Sequence, residues 1–395
     1  MKKKIFLIAS IMFALLIILY SSNMGYRLIF PIYEKLPQEV KKKLVETVFV
    51  FKNQEVLKQK LNKKDKIIAK ININTQKKND NIEKSIIKQD LIFDKKNVKE
   101  IIIEDNNYTL KTFTSYQLVK SINAESRGSA YIEYYGSELF LISASGIIAY
   151  TKNIKGDILN FKYINTNINE FINFKEFNTV NEKNEYRFSI KDFLIFDNNI
   201  YVSFTNKLNE DCYNISIISG KLNVKKINFQ KFFFPNECIS KKNIDNEFNA
   251  HQSGGRLAIF DDKKILLSTG EFRHREKSQD TKSVFGKILS IDTFNGVHKI
   301  LSMGHRNPQG IFYDSVKNRI IISEHGPYGG DEININNDPT NGIKNYGWPV
   351  SSYGDHYGGK NTITNKKKYS KYPLKKSHKK YGFEEPHISF YPSIG

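Results

Sequence analysis

The sequence predicts an all-β protein built as a β-propeller, and the main observation behind this prediction is a repeated hairpin. Two β-type runs joined by a polar tight turn, the second rich in Ile, Leu and Val and followed by a serine, recur at residues 131–143, 194–203, 257–268 and 311–323. The closing serines lie at 143, 203, 268 and 323, so the spacings are 60, 65 and 55 residues. A hairpin at this period, with further strands between, is typical of propeller blades.

Two further observations support an all-β fold. From about residue 108 the chain consists of short β-type runs bounded by Gly, Asn and Asp, and helix-forming stretches are scarce. A β-sandwich is the alternative, but a sandwich has short strands without a long-period repeat. We therefore predict a propeller domain over residues 108–395.

The amino terminus predicts export and membrane attachment. Three lysines precede an unbroken apolar run from Ile5 to Tyr20, which is the pattern of a secretory signal or a short membrane anchor. No small-x-small cleavage site follows, so an uncleaved anchor over residues 1–30 is favoured over a cleaved signal. In both cases the rest of the chain is expected on the periplasmic or extracellular side, anchored to the inner membrane if the segment stays.

Residues 31–107 are predicted to form a Lys-rich stalk, helical or flexible, between anchor and propeller. Apolar residues recur there at helical intervals, as in Val40, Leu44 and Val48. The net charge of +20 comes mainly from lysines spread along the whole chain. Because no recognition-helix or zinc-finger pattern accompanies them, a nucleic-acid partner is not expected.

The chain has two cysteines, Cys212 and Cys238. In an oxidising compartment a disulfide between them is the favoured interpretation, and two buried thiols are the alternative.

Four loop segments gather the residues that could carry chemistry: 249–256, 304–310, 324–332 and 345–349. Each lies at a strand end, where a rigid scaffold can display functional groups. Together they contain histidine, arginine, paired carboxylates, the only tryptophan and many glycines. The carboxylates Asp331 and Glu332 are hard oxygen donors of the kind that calcium prefers, although consecutive acidic residues also occur in solvated turns.

These segments resemble the glucose/sorbosone dehydrogenase family, in particular its soluble aldose dehydrogenase branch. The resemblance rests on H-Q-S-G-G-R-L from His251, G-H-R-N-P-Q-G from Gly304, E-H-G-P-Y-G-G-D-E from Glu324 and N-Y-G-W-P from Asn345. The motifs occur in the family's order, with close agreement over residues 249–360. The resemblance implies a six-bladed propeller that carries pyrroloquinoline quinone (PQQ) and oxidises an aldose at its anomeric hydroxyl to the lactone. Electrons then pass to an acceptor that the sequence does not identify.

The resemblance also implies roles for individual residues. His251 corresponds to the general base that takes the hydroxyl proton, and an imidazole suits this role because its ordinary pKa lies near the working pH. Arg306 would stabilise the charge that grows on the quinone, a role that a fixed cation can fill. The cofactor-binding residues are expected to be Gln252, Arg306 and Asn307. The calcium that polarises the quinone would bind the Gly326 and Pro327 carbonyls, and a second calcium would bind Asp331, Glu332 and the Tyr346 carbonyl.

Three departures from the family pattern stand beside these implications. Ala250 occupies the position where the family usually has an acidic residue before the base. The family's early glycine-glutamine segment has no counterpart before Asp192. The basic residues that grip the cofactor come mainly from the last blades, and six blades at this repeat need about 360 residues, so we expect the propeller to be incomplete at its C-terminus.

A second function stays open on these departures: a non-catalytic, calcium-stabilised propeller that binds carbohydrate or protein at the cell surface. Five histidines outside the motifs match no family position and are expected at the surface: His274, His298, His356, His378 and His387.

Overall fold

The computed structural model describes residues 90–103, 106–115, 130–143, 146–172, 189–242, 247–358 and 363–392. All of these residues belong to one unit, Ile86–Gly395. The predicted anchor, residues 1–30, and the stalk as far as residue 89 lie outside the described part of the chain. Within that part, no helix is long and apolar enough to cross a membrane.

The described residues form an all-β, propeller-like arrangement of four sheets. The first sheet has six strands in the order β2-β1-β6-β5-β4-β3. Its strands are β1 (Leu91–Ile103), β2 (Asn106–Thr114), β3 (Ala130–Tyr135), β4 (Glu138–Ser143), β5 (Ile148–Thr151) and β6 (Ile158–Tyr163).

The second sheet has the order β12-β10-β9-β8, and a short parallel pair joins β7 to β11 beside it. These strands are β7 (Asn165–Thr166), β8 (Ile190–Phe196), β9 (Asn199–Asn209), β10 (Cys212–Lys221), β11 (Lys226–Ile227) and β12 (Gln230–Phe233).

The third and fourth sheets have the orders β13-β14-β15-β16-β20 and β17-β18-β19-β21. The third contains β13 (Gly254–Asp261), β14 (Lys264–Thr269), β15 (Lys287–Asp292), β16 (His298–Met303) and β20 (Lys344–Asn345). The fourth contains β17 (Pro308–Asp314), β18 (Arg319–Glu324), β19 (Asp331–Asn336) and β21 (Ile388–Phe390). The described residues add one α-helix, α1 (Ile363–Lys371), and short 3₁₀ turns at Ile168–Glu170, Arg275–Gln279 and Lys379–Tyr381.

The sheets are arranged as successive blades. The edge strands β3, β8, β13 and β17 contact one another in sequence, which places them at the centre. Hydrophobic clusters then fill the spaces between blades, because adjacent residues of a strand point to opposite faces of its sheet. One cluster joins the first and second blades, another the second and third, and another the third and fourth. A β-sandwich would bury only one face of each sheet, so this packing favours the propeller.

The predicted hairpins are confirmed as β3–β4, β8–β9, β13–β14 and β17–β18. The recurring serine has a structural role at two of its positions. Ser203 donates its hydroxyl hydrogen to the Gly255 carbonyl at the start of β13. Ser268 does the same to the Pro308 carbonyl at the start of β17, at 2.8 Å. A serine at the end of the second strand therefore ties one blade to the first strand of the next.

The predicted disulfide between Cys212 and Cys238 is present. It joins the start of β10 to the loop that follows β12, and Tyr213 forms an isolated bridge with Ile239 beside it. The bond therefore fixes the segment that leads towards residues 247–253.

The strands begin earlier than predicted. Leu91–Ile103 was expected to belong to the stalk, but its first residues pair with β6 and the rest pairs with β2. Leu91 is fully buried in a cluster with Phe161, so burial against the first blade outweighs the Lys- and Asn-rich composition that suggested a stalk. The six-blade count stays a prediction, since the described residues form four blades.

Candidate active site

Two of the motif segments meet at one end of the central strands. Residues 249–253 lead into β13, and residues 304–307 lead into β17, the neighbouring central strand. The Asn307 side-chain carbonyl accepts a hydrogen bond from the Gly254 amide at 3.1 Å, which holds the two segments together. His251 and Arg306 are therefore displayed at the same end of the propeller.

A tight turn after β14 adds a third segment to this end. A Cβ atom on Gly270 would lie 2.3 Å from the Gln252 carbonyl oxygen, so only glycine fits there. Phe272 and Arg273 follow with φ angles of 51° and 68°, in the left-handed region that side chains other than glycine rarely adopt. This turn places Glu271 and Arg273 against Gln252.

The Gln252 amide connects the three segments. Oriented to satisfy its neighbours, its nitrogen donates to Glu271 Oε1 at 2.9 Å. Its oxygen accepts hydrogen bonds from Arg306 Nη2 and Arg273 Nε, each at 2.9 Å. A single buried amide thus fixes one carboxylate and two guanidinium groups.

Burial changes the acidity of this group of charges. Glu271 is fully buried, and burial raises the pKa of its carboxyl to about 7 although Arg275, Arg306 and Arg273 oppose the shift. Burial lowers the pKa of the Arg306 guanidinium, and the charge of Glu271 opposes that change. An arginine stays protonated despite such a shift, so the cation at position 306 is fixed.

Arg306 is held from several sides. Its Nη1 donates to the His325 carbonyl at 2.9 Å, and its guanidinium lies 5.5 Å from the centre of the Trp348 ring. Its backbone amide donates to Glu324, and the second oxygen of Glu324 bonds His305 Nδ1 at 2.8 Å. The histidine and arginine of one motif are thus anchored by the glutamate that opens the next, which explains why the two motifs occur together.

A cleft with a cavity volume of about 90 Å³ opens beside Arg306. Its described lining is Glu247, Arg273, Arg275, Arg306, Pro327, Trp348, His356, Tyr357 and Lys368. The arginines and Lys368 contribute positive charge, and Glu247 is the carboxylate among these residues. Burial lowers the pKa of His356 to about 4, so its imidazole is neutral at pH 7. The cleft is therefore suited to an anion.

His251 itself is half-buried on the loop before β13, and its backbone amide donates to the Asn249 side chain at 2.8 Å. Asn249 thus closes the turn. Ala250 is fully buried in the cluster between the second and third blades. An acidic residue at position 250 would place a charge in this core, which is costly without a partner. The carboxylate that contacts this loop is Glu271 on the neighbouring turn, through the Gln252 amide.

A second, smaller cavity of about 10 Å³ shares Arg306, Pro327 and Trp348 with the lining of the cleft. Glu324 and Glu332 face each other across β18 and β19 and both line it, together with Gly326, Pro327 and Tyr346. Burial raises the pKa of Glu332 well above its usual range, and the neighbouring charge of Glu324 adds to the shift.

Two polar atoms of this cavity's lining, Trp348 Nε1 and Ser351 Oγ, are buried without a hydrogen-bond partner among the described residues. The two facing carboxylates and the unpaired Ser351 hydroxyl oxygen make this cavity suited to a cation, whereas the Trp348 N–H can only donate a hydrogen bond.

The residues predicted to bind metal are divided by the strand. Glu332 points into the second cavity, and its neighbour Asp331 points to the opposite face. There the carboxylate of Asp331 accepts the Gly326 amide hydrogen at 3.0 Å and lies 3.5 Å from His325 Nδ1. Within the described residues, no cluster of three or more His, Cys, Asp or Glu side chains surrounds one point. Any metal here would depend on carbonyl or hydroxyl oxygens as well.

The sequence comparison decides the family. The family model for glucose/sorbosone dehydrogenases matches residues 192–395, more than half of the chain. The chain belongs to the glucose/sorbosone dehydrogenase family. It is therefore a member of a family of sugar-oxidising oxidoreductases, as its motifs indicated.

Two curated relatives share a segment of this chain. The aldose sugar dehydrogenase YliI of Escherichia coli K12 is 38% identical over 120 residues, covering 27% of this chain and 31% of the relative. The quinoprotein glucose dehydrogenase B of Acinetobacter calcoaceticus is 33% identical over 141 residues, covering 27% of this chain and 28% of the relative. The matches thus span less than a third of each relative's length.

Two solved structures of similar proteins are aldose sugar dehydrogenases. The soluble apo-form enzyme from Escherichia coli has a TM-score of 0.47 at 21% identity, covering 69% of this chain and 71% of that one. The PQQ-bound enzyme from Streptomyces coelicolor has a TM-score of 0.43 at 20% identity, covering 67% and 72%.

Sequence reasoning missed four residues that line the cleft, Glu247, Arg273, Arg275 and Lys368, and it missed Glu271, which is buried against the Gln252 amide. A usable signal existed for three of them, because alternating charges directly after the glycine that ends a strand mark a displayed loop. Glu247 and Lys368 carry no local signal. The expectation that the remaining histidines lie at the surface is wrong for His274, His356 and His378, which are all at least 93% buried.

Proposed function

We propose that this protein is a PQQ-dependent aldose sugar dehydrogenase that oxidises the anomeric hydroxyl of its substrate to a lactone. One observation carries the proposal: a cationic cleft lies beside Arg306 at the propeller end that displays His251, next to a cavity lined by carboxylates. That arrangement can hold a polyanion and a divalent cation side by side.

The residues present fit the cofactor. PQQ is a planar tricarboxylate, and the cleft combines excess positive charge with the flat Trp348 ring. Arginine pairs well with carboxylates because its planar donors match their geometry. Arg306, Asn307 and Gln252 would hold the cofactor from the motif side. When bound, PQQ supplies a quinone that accepts the hydride from the sugar carbon.

The chain's own residues supply the rest of the chemistry. His251 takes the proton of the anomeric hydroxyl, so that the carbonyl of the lactone can form. Arg306 is held in place before the reaction, and a pre-positioned cation stabilises negative charge that develops in the transition state. Such a group contributes about 10²–10³ in rate.

Calcium binding is part of the proposal. The Gly326 and Pro327 carbonyls, Glu332 and the Tyr346 carbonyl are proposed ligands, and the second cavity adds Glu324 beside them. What supports a cation here is the pair of facing carboxylates and the unpaired buried hydroxyl of Ser351. Asp331 stays a proposed ligand, but its position on the other face means that it would serve a separate site from Glu332.

Export and membrane attachment through residues 1–30 are also proposed. The disulfide supports export, because such bonds persist in oxidising compartments. A sugar substrate on that side of the membrane, and an electron acceptor in or near it, are consistent with this location.

A dye-reduction assay tests the function. The full-length chain is loaded with PQQ and calcium and tested over a panel of aldoses. Wild type should reduce the dye, His251→Ala should not, and His387→Ala, an exposed histidine on another loop, should match wild type. Activity that survives His251→Ala would overturn the assigned base. Calcium-dependent melting without PQQ binding would instead favour the non-catalytic propeller.

A further inference from the structure

The helix α1 belongs to none of the four motifs, and it contributes Lys368 to the lining of the cleft. Asn365, Lys368 and Tyr372 recur at helical spacing and are buried, whereas Lys366 and Lys367 on the other face are exposed. The helix therefore turns one of its lysines towards the cleft and leaves the others in solvent.

This helix is fixed to the site by several contacts. Asn365 donates to the Tyr357 carbonyl at 2.9 Å, and the Tyr369 hydroxyl accepts the His356 amide hydrogen at 3.0 Å. His356 Nε2 in turn bonds the Tyr372 carbonyl at 2.9 Å. Because both ends of the helix are held to cleft-lining residues, the position of Lys368 follows from packing.

Lys368 meets a carboxylate that already has a second cation. Its side chain is 8% exposed, and its Nζ bonds Glu247 Oε1. The other oxygen of Glu247 bonds Arg275 Nη2 at 2.6 Å. One carboxylate is thus shared by two largely buried cations in a cleft that also contains Arg273 and Arg306.

This arrangement leaves a positive excess. The four cations that line the cleft outnumber Glu247, its lining carboxylate, and Glu271, the buried carboxylate that interacts with the three arginines. Burial therefore favours a further anion there. A carboxylate from a ligand would supply it. Lysine is suited to this role as a compact point charge with three donors.

We propose that Lys368 binds a carboxylate of the cofactor and that Glu247 competes with the cofactor for it. The inference rests on the proposed function, since it takes PQQ as the anion. It adds a cofactor-binding residue on α1, outside the four motifs.

The chain provides its own reporter for a test. Trp348 is the only tryptophan of the chain and lines the cleft. Titration with PQQ in the presence of calcium should quench its fluorescence and give a Kd without any need for turnover. Equilibrium dialysis, read by PQQ absorbance, gives the same constant independently.

Three variants separate the outcomes. Lys368→Gln should raise Kd by tenfold or more, because charge-assisted hydrogen bonds are strong. Glu247→Gln should lower Kd several-fold, because it removes the competing carboxylate. Lys367→Gln, on the exposed face of the same helix, should leave Kd within twofold of wild type. Lys368→Arg should retain most of the binding, and its melting temperature shows whether the helix still packs.

The opposite signs keep the proposal falsifiable. General damage to the cleft cannot tighten binding, so a lower Kd for Glu247→Gln supports competition. If wild type binds PQQ and Lys368→Gln binds equally well, this inference is wrong and the cofactor assignment stands. If Lys368→Gln and Glu247→Gln both weaken binding, the ion pair only stabilises the structure of the cleft and the inference is wrong. If wild type binds no PQQ by either method, the inference and the cofactor assignment fall together.

Discussion

The cleft and the second cavity are lined by charges of opposite sign, although they share three lining residues. The cleft is lined by three arginines and Lys368, and the smaller cavity is lined by Glu324 and Glu332. Arg306, Pro327 and Trp348 contribute to both. Charges of one sign are costly to gather in a protein interior. The cleft and the second cavity therefore each favour a ligand of the opposite charge. The comparison indicates a site built for an anion and a cation that lie next to each other.

The largest expected effect on activity comes from Arg306, a charged residue that lines both the cleft and the second cavity. Arg306→Gln should lower kcat by about 10²–10³, because it removes the fixed cation. It also leaves Glu271 without one of its cationic neighbours. Steady-state kinetics over the active aldoses measure the loss. Arg319→Gln is the matched control, since Arg319 pairs with Asp314 at 3.1 Å on the same blade but away from the cleft. Near-normal turnover in Arg306→Gln would show that Arg306 has no catalytic role.

The disulfide should affect the cleft more than the cavity. Glu237, next to Cys238, forms an ion pair with Lys277 at 3.0 Å and accepts the Val284 amide hydrogen at 2.8 Å. The disulfide-bonded segment therefore contacts the loop that carries Arg273 and Arg275. The double variant Cys212→Ser/Cys238→Ser should lower the free energy of unfolding by about 3.5 kcal/mol, the value expected for a loop closed by cysteines 26 residues apart. Urea denaturation measures this change.

In the same double variant, PQQ affinity should fall while calcium still raises the melting temperature. A loss of calcium stabilisation with unchanged PQQ binding would show that the disulfide supports the second cavity more than the cleft.

The carboxylate cavity can be separated from Asp331 by a pair of variants. Calcium at a hundred times its Kd should stabilise the wild type by about 2.7 kcal/mol. Glu332→Gln should lose most of this shift, because its side chain faces Glu324 in the cavity. Asp331→Asn should retain more of it, since Asp331 lies on the other face of β19. Thermal melts with and without calcium measure both. A larger loss for Asp331→Asn would place the main cation on the Asp331 face.

The smallest expected effect concerns pH and the carboxylate behind the cleft. The pKa of Glu271 is raised to about 7 in the folded state, so the folded protein keeps a proton there that an unfolded glutamate has already lost. Stability contributed by this group is therefore present at low pH and lost as pH rises. The loss should be about 2 kcal/mol between pH 5 and 7. Glu271→Gln should flatten this dependence in cofactor-free protein, measured by urea denaturation across that range. An unchanged slope would show that Glu271 is ionised throughout.

Much of the fold could be predicted, and the reason is periodicity. The hairpins and their serines repeat along the chain, so the blades were visible before any tertiary structure. The start of the sheet was not, because the β1 segment has a stalk-like composition and its strand is defined by pairing with β6 and β2. The assignment of such a strand depends on partners in β6 that are 64 to 70 residues away in the chain, from Asp94↔Ile158 to Leu91↔Phe161.

The site divides in the same way. Gln252, Arg306 and Asn307 were predicted from motifs, and the structure brings them together at one end of the central strands. Asp331 and Glu332 point to opposite faces because they are neighbours in β19. The sequence did not show where this strand begins, so the separation could not be predicted. Glu247 and Lys368 are 121 residues apart in the chain, and nothing local to either marks the ion pair that they form.

The sequence by itself determined the blade repeat, the loop motifs, the cysteine pair and the family, because each of these is written in neighbouring residues or in a regular spacing. Only the tertiary structure decided which charges share a cleft, which carboxylates face each other and which helix closes the wall. Those outcomes depend on packing between distant segments, where burial sets the cost of each charge and the partner that it requires.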